Sequence, residues 1–205
     1  MTIETKKVEM AKILTNIDAL QFGLFKLTSG KVSPYYVDLR VIPSFPDAFR
    51  DISEFLAETI TKQIGLKNFD RIAGVPVAGI PFASQVAYNL KKPFLYVRKG
   101  VKMHGRERRV EGILVSGNRV LLVDDLVTTG LSLKEAAEAV RVEGGVVTDA
   151  VTFLDREEGG KVILEKNGVK LHTLLRISEI ADTLFEMGSI DEESLKTIKK
   201  QLKKK

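Results

Sequence analysis

From Arg71 to Glu186 the chain alternates short apolar runs with segments of helical period. That order constrains the fold more than any other feature. Arg71 to Val75, Phe94 to Val97, Arg119 to Val123, Val146 to Leu154 and Lys170 to Leu175 read as strands. Ile80 to Leu90, Leu131 to Glu143, a short segment before Asn167-Gly168, and Glu179 to Glu186 read as helices. Gly144-Gly145 is a stop signal for the second of these, and Ser189-Ile190-Asp191-Glu192 fits a capping box for a last helix. Such alternation predicts an α/β fold, a mainly parallel central sheet flanked by helices. Ligands in these sheets bind beyond the C-terminal ends of the strands. Chemistry is therefore expected in the loops after Val75, Val97, Val123 and Leu154.

The N-terminal third is built differently. Val8, Ala11, Ile13, Leu14 and Ile17 keep helical spacing. Leu24 to Leu27 and Tyr35 to Leu39 read as short strands around the turn Thr28-Ser29-Gly30-Lys31. Pro46 then opens a helix that runs to about Gly65, because proline suits a first helical turn.

The chain has 205 residues, 44% of them hydrophobic, which is enough for one domain that needs no covalent or metal staple. It has no cysteine, which excludes disulfides, thiol catalysis, iron–sulfur clusters and Cys-ligated zinc. No apolar run reaches the ~18–20 residues of a membrane span. Met1 to Lys7 lacks the apolar region of a signal peptide. A soluble, cytoplasmic protein is expected. The net charge of +5 resides in the C-terminal tail: Lys196, Lys199, Lys200, Lys203, Lys204 and Lys205 have no acid among them. Without them, 26 basic residues face 27 acidic ones. A lysine-rich helix end suits the helix dipole, and nucleic acid is not the expected partner.

One stretch breaks the alternation. Lys99 to Gly112 has no apolar period and carries Lys99, Lys102, Arg106, Arg108 and Arg109, with Glu107 and Glu111 as partial offset. A long cationic loop of this kind is expected to cover an anionic ligand.

The chemistry concentrates in Val120-Leu121-Leu122-Val123-Asp124-Asp125-Leu126-Val127-Thr128-Thr129-Gly130-Leu131-Ser132. A buried strand ends in two acids, and a short turn leads into a helix. The helix start offers free N–H groups and the positive end of the dipole, which bind phosphate. Thr128, Thr129 and Ser132 add hydroxyl donors, and Gly130 lets backbone approach the anion. Adjacent carboxylates repel and need compensation, from sugar hydroxyls, a metal or nearby cations. Acids beside a phosphate cradle suit a phosphorylated sugar. The chain contains neither GxxxxGK[ST] nor GxGxxG, so neither a P-loop nor a dinucleotide fingerprint is present. His104 and His172 are the only histidines. His172 lies in a strand and reads as structural.

The Val120 to Ser132 segment resembles the binding motif for phosphoribosyl pyrophosphate (PRPP) of type I phosphoribosyltransferases. Three further segments are similar to those of orotate phosphoribosyltransferases. Phe22 to Gly30 with Ser33-Pro34-Tyr35-Tyr36-Val37-Asp38-Leu39-Arg40 resembles the part that closes over orotate. Tyr96-Val97-Arg98-Lys99 with Lys102, His104 and Gly105 resembles the catalytic loop. Leu154-Asp155-Arg156-Glu157-Glu158-Gly159-Gly160 resembles the segment whose arginine holds the base. The likeness spans about Phe22 to Leu195.

The resemblance implies the type I phosphoribosyltransferase fold in a single domain, residues 1–205, with a small N-terminal hood formed by about residues 1–45 and part of the C-terminal region. It implies the reaction of orotate with PRPP to give orotidine 5'-monophosphate and pyrophosphate, with Mg²⁺ bound mainly through PRPP. It implies that Asp124 and Asp125 hold the ribose hydroxyls, that Leu126 to Ser132 bind PRPP with Thr128 to Ser132 holding the 5'-phosphate, and that Val75-Pro76-Val77-Ala78 wraps the pyrophosphate. Arg98, Lys99, Lys102 and His104 grip the pyrophosphate. Lys102 and His104 join Asp124 and Asp125 as the catalytic set. Lys26, Tyr35, Tyr36, Thr128 and Arg156 contact orotate. A homodimer sharing the 98–112 loop between subunits is also implied. Two positions depart from the pattern: Thr28 and Ala78 stand where some members carry lysine. Lys26, two residues before Thr28, is the expected substitute. The rival readings are a purine or uracil phosphoribosyltransferase and a PRPP-sensing, RNA-binding homologue.

Overall fold

The computed structural model describes residues 2–26, 30, 32–100 and 108–203. Among these, no helix is long and apolar enough to cross a membrane.

Helix α1 (Ile3–Asn16) is capped by Thr2, whose hydroxyl accepts from the Thr5 N–H at 3.2 Å. Strands β1 (Leu20–Lys26) and β2 (Val32–Val37) form an antiparallel hairpin. Periodicity predicts a shorter first strand and a second one that starts and ends later. The hairpin register pairs Leu20 with Val37, which draws β1 back to residue 20. Asp38 ends β2 by accepting from the Arg40 N–H, which opens a 3-10 helix at Leu39–Ser44. That turn has no apolar period and is missed in the sequence.

The remaining helices and strands follow the predicted alternation. They are α2 (Pro46–Gln63), β3 (Arg71–Gly74), α3 (Gly79–Leu90), β4 (Phe94–Val97), β5 (Val110–Glu111), β6 (Val120–Val127), α4 (Leu131–Val142), β7 (Asp149–Asp155), α5 (Gly160–Lys166), β8 (Lys170–Arg176), α6 (Ile177–Glu186) and α7 (Glu192–Lys203). The main sheet has the order β5-β4-β3-β6-β7-β8, parallel except for β5. β5 corrects the reading of Lys99 to Gly112 as wholly irregular, since Val110 and Glu111 pair with Val97 and Tyr96. The predicted cap of the last helix moves too: Asp191, not Ser189, accepts from the Ser194 N–H at 2.8 Å.

A central parallel strand is buried on both faces, and β6 obeys that rule. Leu121 and Val123 join one core with α1, α2, α3, α6 and α7, while Val120 and Leu122 join a second core with α4 and α5. Phe82 and Phe153 are fully buried in the first core, each contributing about 2 kcal/mol by burial. Helix α7 packs on α6 and β2, which ties the C-terminus to the N-terminal hairpin.

Candidate active site

The acid pair lies inside β6, which runs on beyond it. Parallel pairing with β7 continues through Asp124–Thr152, Leu126–Leu154 and Val127–Asp155, so the strand extends four residues past the predicted end at Val123. Both aspartates are buried, at 7% and 6% exposure. Burial, reinforced by Asp125, pushes the Asp124 carboxyl well above the usual range, and burial also raises Asp125. The Asp125 N–H donates to Asp124 Oδ1 at 3.0 Å.

The two acids floor a cleft of about 280 Å³. One wall is the loop Pro76-Val77-Ala78 after β3. Another is Leu126 to Leu133, and a third is Val37 to Arg40 at the end of β2. The cleft therefore gathers Asp124, Asp125, residues 126 to 132 and residues 76 to 78, as the sequence predicts. Val75 is fully buried just beneath, with its N–H bonded to the Val123 carbonyl at 3.1 Å. Gly130 begins α4 at φ 81°, a conformation open to glycine at little cost. No side chain caps α4, so its first N–H groups are left for a ligand at the positive end of the dipole.

Asp38 and Arg40 are cleft residues that the sequence does not single out as contacts. The Arg40 guanidinium grips Asp38 with Nε–Oδ1 at 2.7 Å and Nη2–Oδ2 at 2.8 Å. Arg40 also favours ionisation of Asp125. It is the kind of nearby cation that a carboxylate pair calls for. The two meet because Asp38 caps the 3-10 helix that carries Arg40, a turn that the hydrophobic period does not show.

The other predicted residues that the structure describes do not line this cleft. Lys99 and Arg109 line a neighbouring cavity that shares Pro76 and Ser132 with the first. Arg98 pairs with Glu111 at 3.3 Å, and its backbone N–H donates to the Arg109 carbonyl at 2.8 Å. Glu143, at the far end of α4, accepts from the N–H groups of Arg109 and Val110 at 2.8 and 2.9 Å. Lys26 is exposed at the end of β1. Lys102 and His104 lie outside the described residues, as does Thr28.

Arg156 stands on the turn after β7, its N–H bonded to the Val127 carbonyl at 3.0 Å. Its Nη2 lies 3.0 Å from Glu158 Oε1, and its guanidinium lies over the Tyr35 ring, 5.4 Å from the centroid. Tyr35 is fully buried. Tyr36 points to the other face of the hairpin and packs against Phe25 at 5.7 Å. His172 is buried and bonded to Asp149 Oδ1 at 2.7 Å, in keeping with a structural role.

Chemically, the cleft offers a phosphate cradle, two buried carboxylates that can accept from hydroxyls, and an arginine on the facing wall. Two adjacent carboxylates could also hold a divalent cation. Among the described residues, no group of three or more His, Cys, Asp or Glu gathers to hold a metal.

Known proteins share this arrangement. Residues 44–176 match the family described as the phosphoribosyl transferase domain. An orotate phosphoribosyltransferase of Saccharolobus solfataricus is 43% identical over 191 residues, 93% of this chain and 95% of that protein. The orotate phosphoribosyltransferase of Staphylothermus marinus is 42% identical over 202 residues, 98% of this chain and 97% of that protein. The crystal structure of orotate phosphoribosyltransferase from Aeropyrum pernix superposes with a TM-score of 0.77 at 33% identity, covering 89% of this chain and 99% of that one.

Proposed function

The chain belongs to the phosphoribosyltransferase family, within its orotate phosphoribosyltransferases, and from that premise we propose a role for each part of its cleft. The reaction moves the phosphoribosyl group of PRPP onto orotate, releasing pyrophosphate and forming orotidine 5'-monophosphate for pyrimidine biosynthesis. The observation that carries the assignment of roles is the buried Asp124–Asp125 pair at the mouth of an uncapped helix.

The N–H groups and hydroxyls from Thr128 to Ser132 hold the 5'-phosphate. Asp124 and Asp125 accept from the ribose hydroxyls. Those hydrogen bonds answer the repulsion between the carboxylates. The Val75 to Ala78 loop receives the pyrophosphate, and Arg98, Lys99, Lys102 and His104 complete its hold. Orotate lies toward Arg156, Tyr35, Tyr36, Thr128 and Lys26. A planar guanidinium suits a carboxylate, which sets orotate apart from uracil.

Cleavage at C1' develops positive charge on the ribose and negative charge on the departing pyrophosphate, as in glycoside hydrolysis. The aspartates favour the cationic sugar, and the basic side chains favour the leaving group. Mg²⁺, bound mainly through PRPP, supplies further charge neutralisation on the pyrophosphate. The N-terminal hairpin acts as a hood, and closing the basic 98–112 loop excludes water that would hydrolyse PRPP. A homodimer in the cytoplasm, sharing the 98–112 loop between subunits, completes the proposal.

The experiment mixes protein with PRPP, Mg²⁺ and orotate and follows orotate's ultraviolet absorbance. Parallel samples hold uracil, hypoxanthine or adenine, and a Lys102→Ala variant is included. The expected result is turnover of orotate alone, nearly abolished in the variant and by chelation of Mg²⁺. Turnover undiminished in Lys102→Ala would remove the loop from the mechanism.

A further inference from the structure

Arg156 is presented by a turn that is itself tied down. Asp155 Oδ1 accepts from the Glu157 N–H at 2.7 Å. Glu157 takes a left-handed conformation at φ 55°, and its Oε2 accepts from the Ser178 N–H at 2.9 Å at the start of α6. The turn brings the side chains of Arg156 and Glu158 together, with Nη2 3.0 Å from Oε1. The two side chains are only 16% and 19% exposed. An ion pair this sheltered from water is screened little, so the anion restrains the cation by charge.

The rest of the guanidinium is incompletely used. Arg156 Nε is buried without a hydrogen-bond partner, and the Tyr35 ring lies under the same guanidinium. A buried donor without an acceptor costs free energy and marks a place where an acceptor atom arrives with a ligand.

We infer that Glu158 is a positioning residue for orotate: its carboxylate holds one Nη of Arg156, and the remaining guanidinium donors are thereby aimed at the carboxylate or carbonyl oxygens of the base. The inference rests on Arg156 being an orotate ligand. Glu158 touches no reacting atom. It removes the rotamer freedom of a long side chain before the substrate arrives, so binding does not have to.

The test compares Glu158→Ala, Glu158→Gln and Arg156→Ala in steady-state kinetics and thermal melting. Glu158→Ala is expected to raise KM for orotate about tenfold, with kcat and KM for PRPP changing less than about twofold, because only one ground-state contact is loosened. Its preference for orotate over uracil should fall in proportion, since uracil has no carboxylate to aim at. Glu158→Gln keeps an oxygen facing Nη2 and should recover part of the loss. An unchanged KM for orotate in Glu158→Ala, with Arg156→Ala raising it, overturns the inference alone. An unchanged KM in Arg156→Ala overturns the reading of Arg156 beneath it. Equal rises for both substrates with a lowered melting temperature would show Glu158 to be a purely structural residue.

Discussion

Gly79 lies so close to Asp124 that a β-carbon on it would stand 2.4 Å from Oδ1 and 2.8 Å from Cα. The first residue of α3 and the first acid of the pair therefore fix each other's position. The contact joins the loop after β3 to the floor of the cleft.

Gly79→Ala is expected to push the 76–78 loop off Asp124. Overpacking of this kind costs ~1–3 kcal/mol. Urea unfolding should show that loss, and isothermal titration should show PRPP affinity falling by more than the loss of stability explains.

The acid pair also sets a stability–activity conflict. Burial raises both carboxyls in the folded state. Their contribution to stability is therefore present at low pH, below the unfolded value, and is lost as pH rises through the folded value. Asp124→Asn should raise the melting temperature of the ligand-free protein at neutral pH, by roughly 2–4 °C per kcal/mol relieved. The same variant should lose activity by about 10² or more, as when a single transition-state contact is removed. A melting temperature that falls at pH 7 would contradict the assignment.

Arg40 is held by Asp38 on an exposed wall of the cleft, and exposed pairs contribute only ~0–1 kcal/mol to stability. Arg40→Ala should leave melting almost unchanged. Its absence takes a cation from a cleft that receives a polyanion, so KM for PRPP should rise by about tenfold at low salt and by less at high salt.

His172 and Asp149 make the opposite case. Their bond joins β8 to β7, and neither residue lines the cleft. His172→Ala should cost ~1–3 kcal/mol in chemical denaturation, because it leaves a partly buried carboxylate without its partner. Steady-state constants measured below the melting transition should stay within about twofold.

Glu143 takes two backbone N–H groups from Arg109 and Val110 at the root of the basic stretch. Glu143→Ala leaves both donors unanswered and should lower kcat/KM for PRPP, while Glu143→Gln, which keeps the acceptor, should restore most of it. Kinetics of the two variants at matched temperature check this.

The alternation of strands and helices, the phosphate cradle and the acid pair were legible because each rests on local sequence: a hydrophobic period, a turn glycine, hydroxyls at a helix start. The residues of the PRPP motif from Asp124 to Ser132 could be named from those signals together with the family likeness. Boundaries were less legible. β6 runs to Val127 because β7 is there to pair with it, and β1 starts at Leu20 because Val37 faces it. No local property of either strand carries that information.

The amino-acid sequence by itself determined the fold class, the parallel sheet and the place of the chemistry after its strands. Only the tertiary structure decided that Asp38 and Arg40 face the acid pair, that Glu158 meets Arg156 over Tyr35, and that Tyr36 packs against Phe25. Periodicity describes one element at a time. Which charges meet across a cleft depends on how separate elements pack, and that is settled by burial and pairing over long sequence separations.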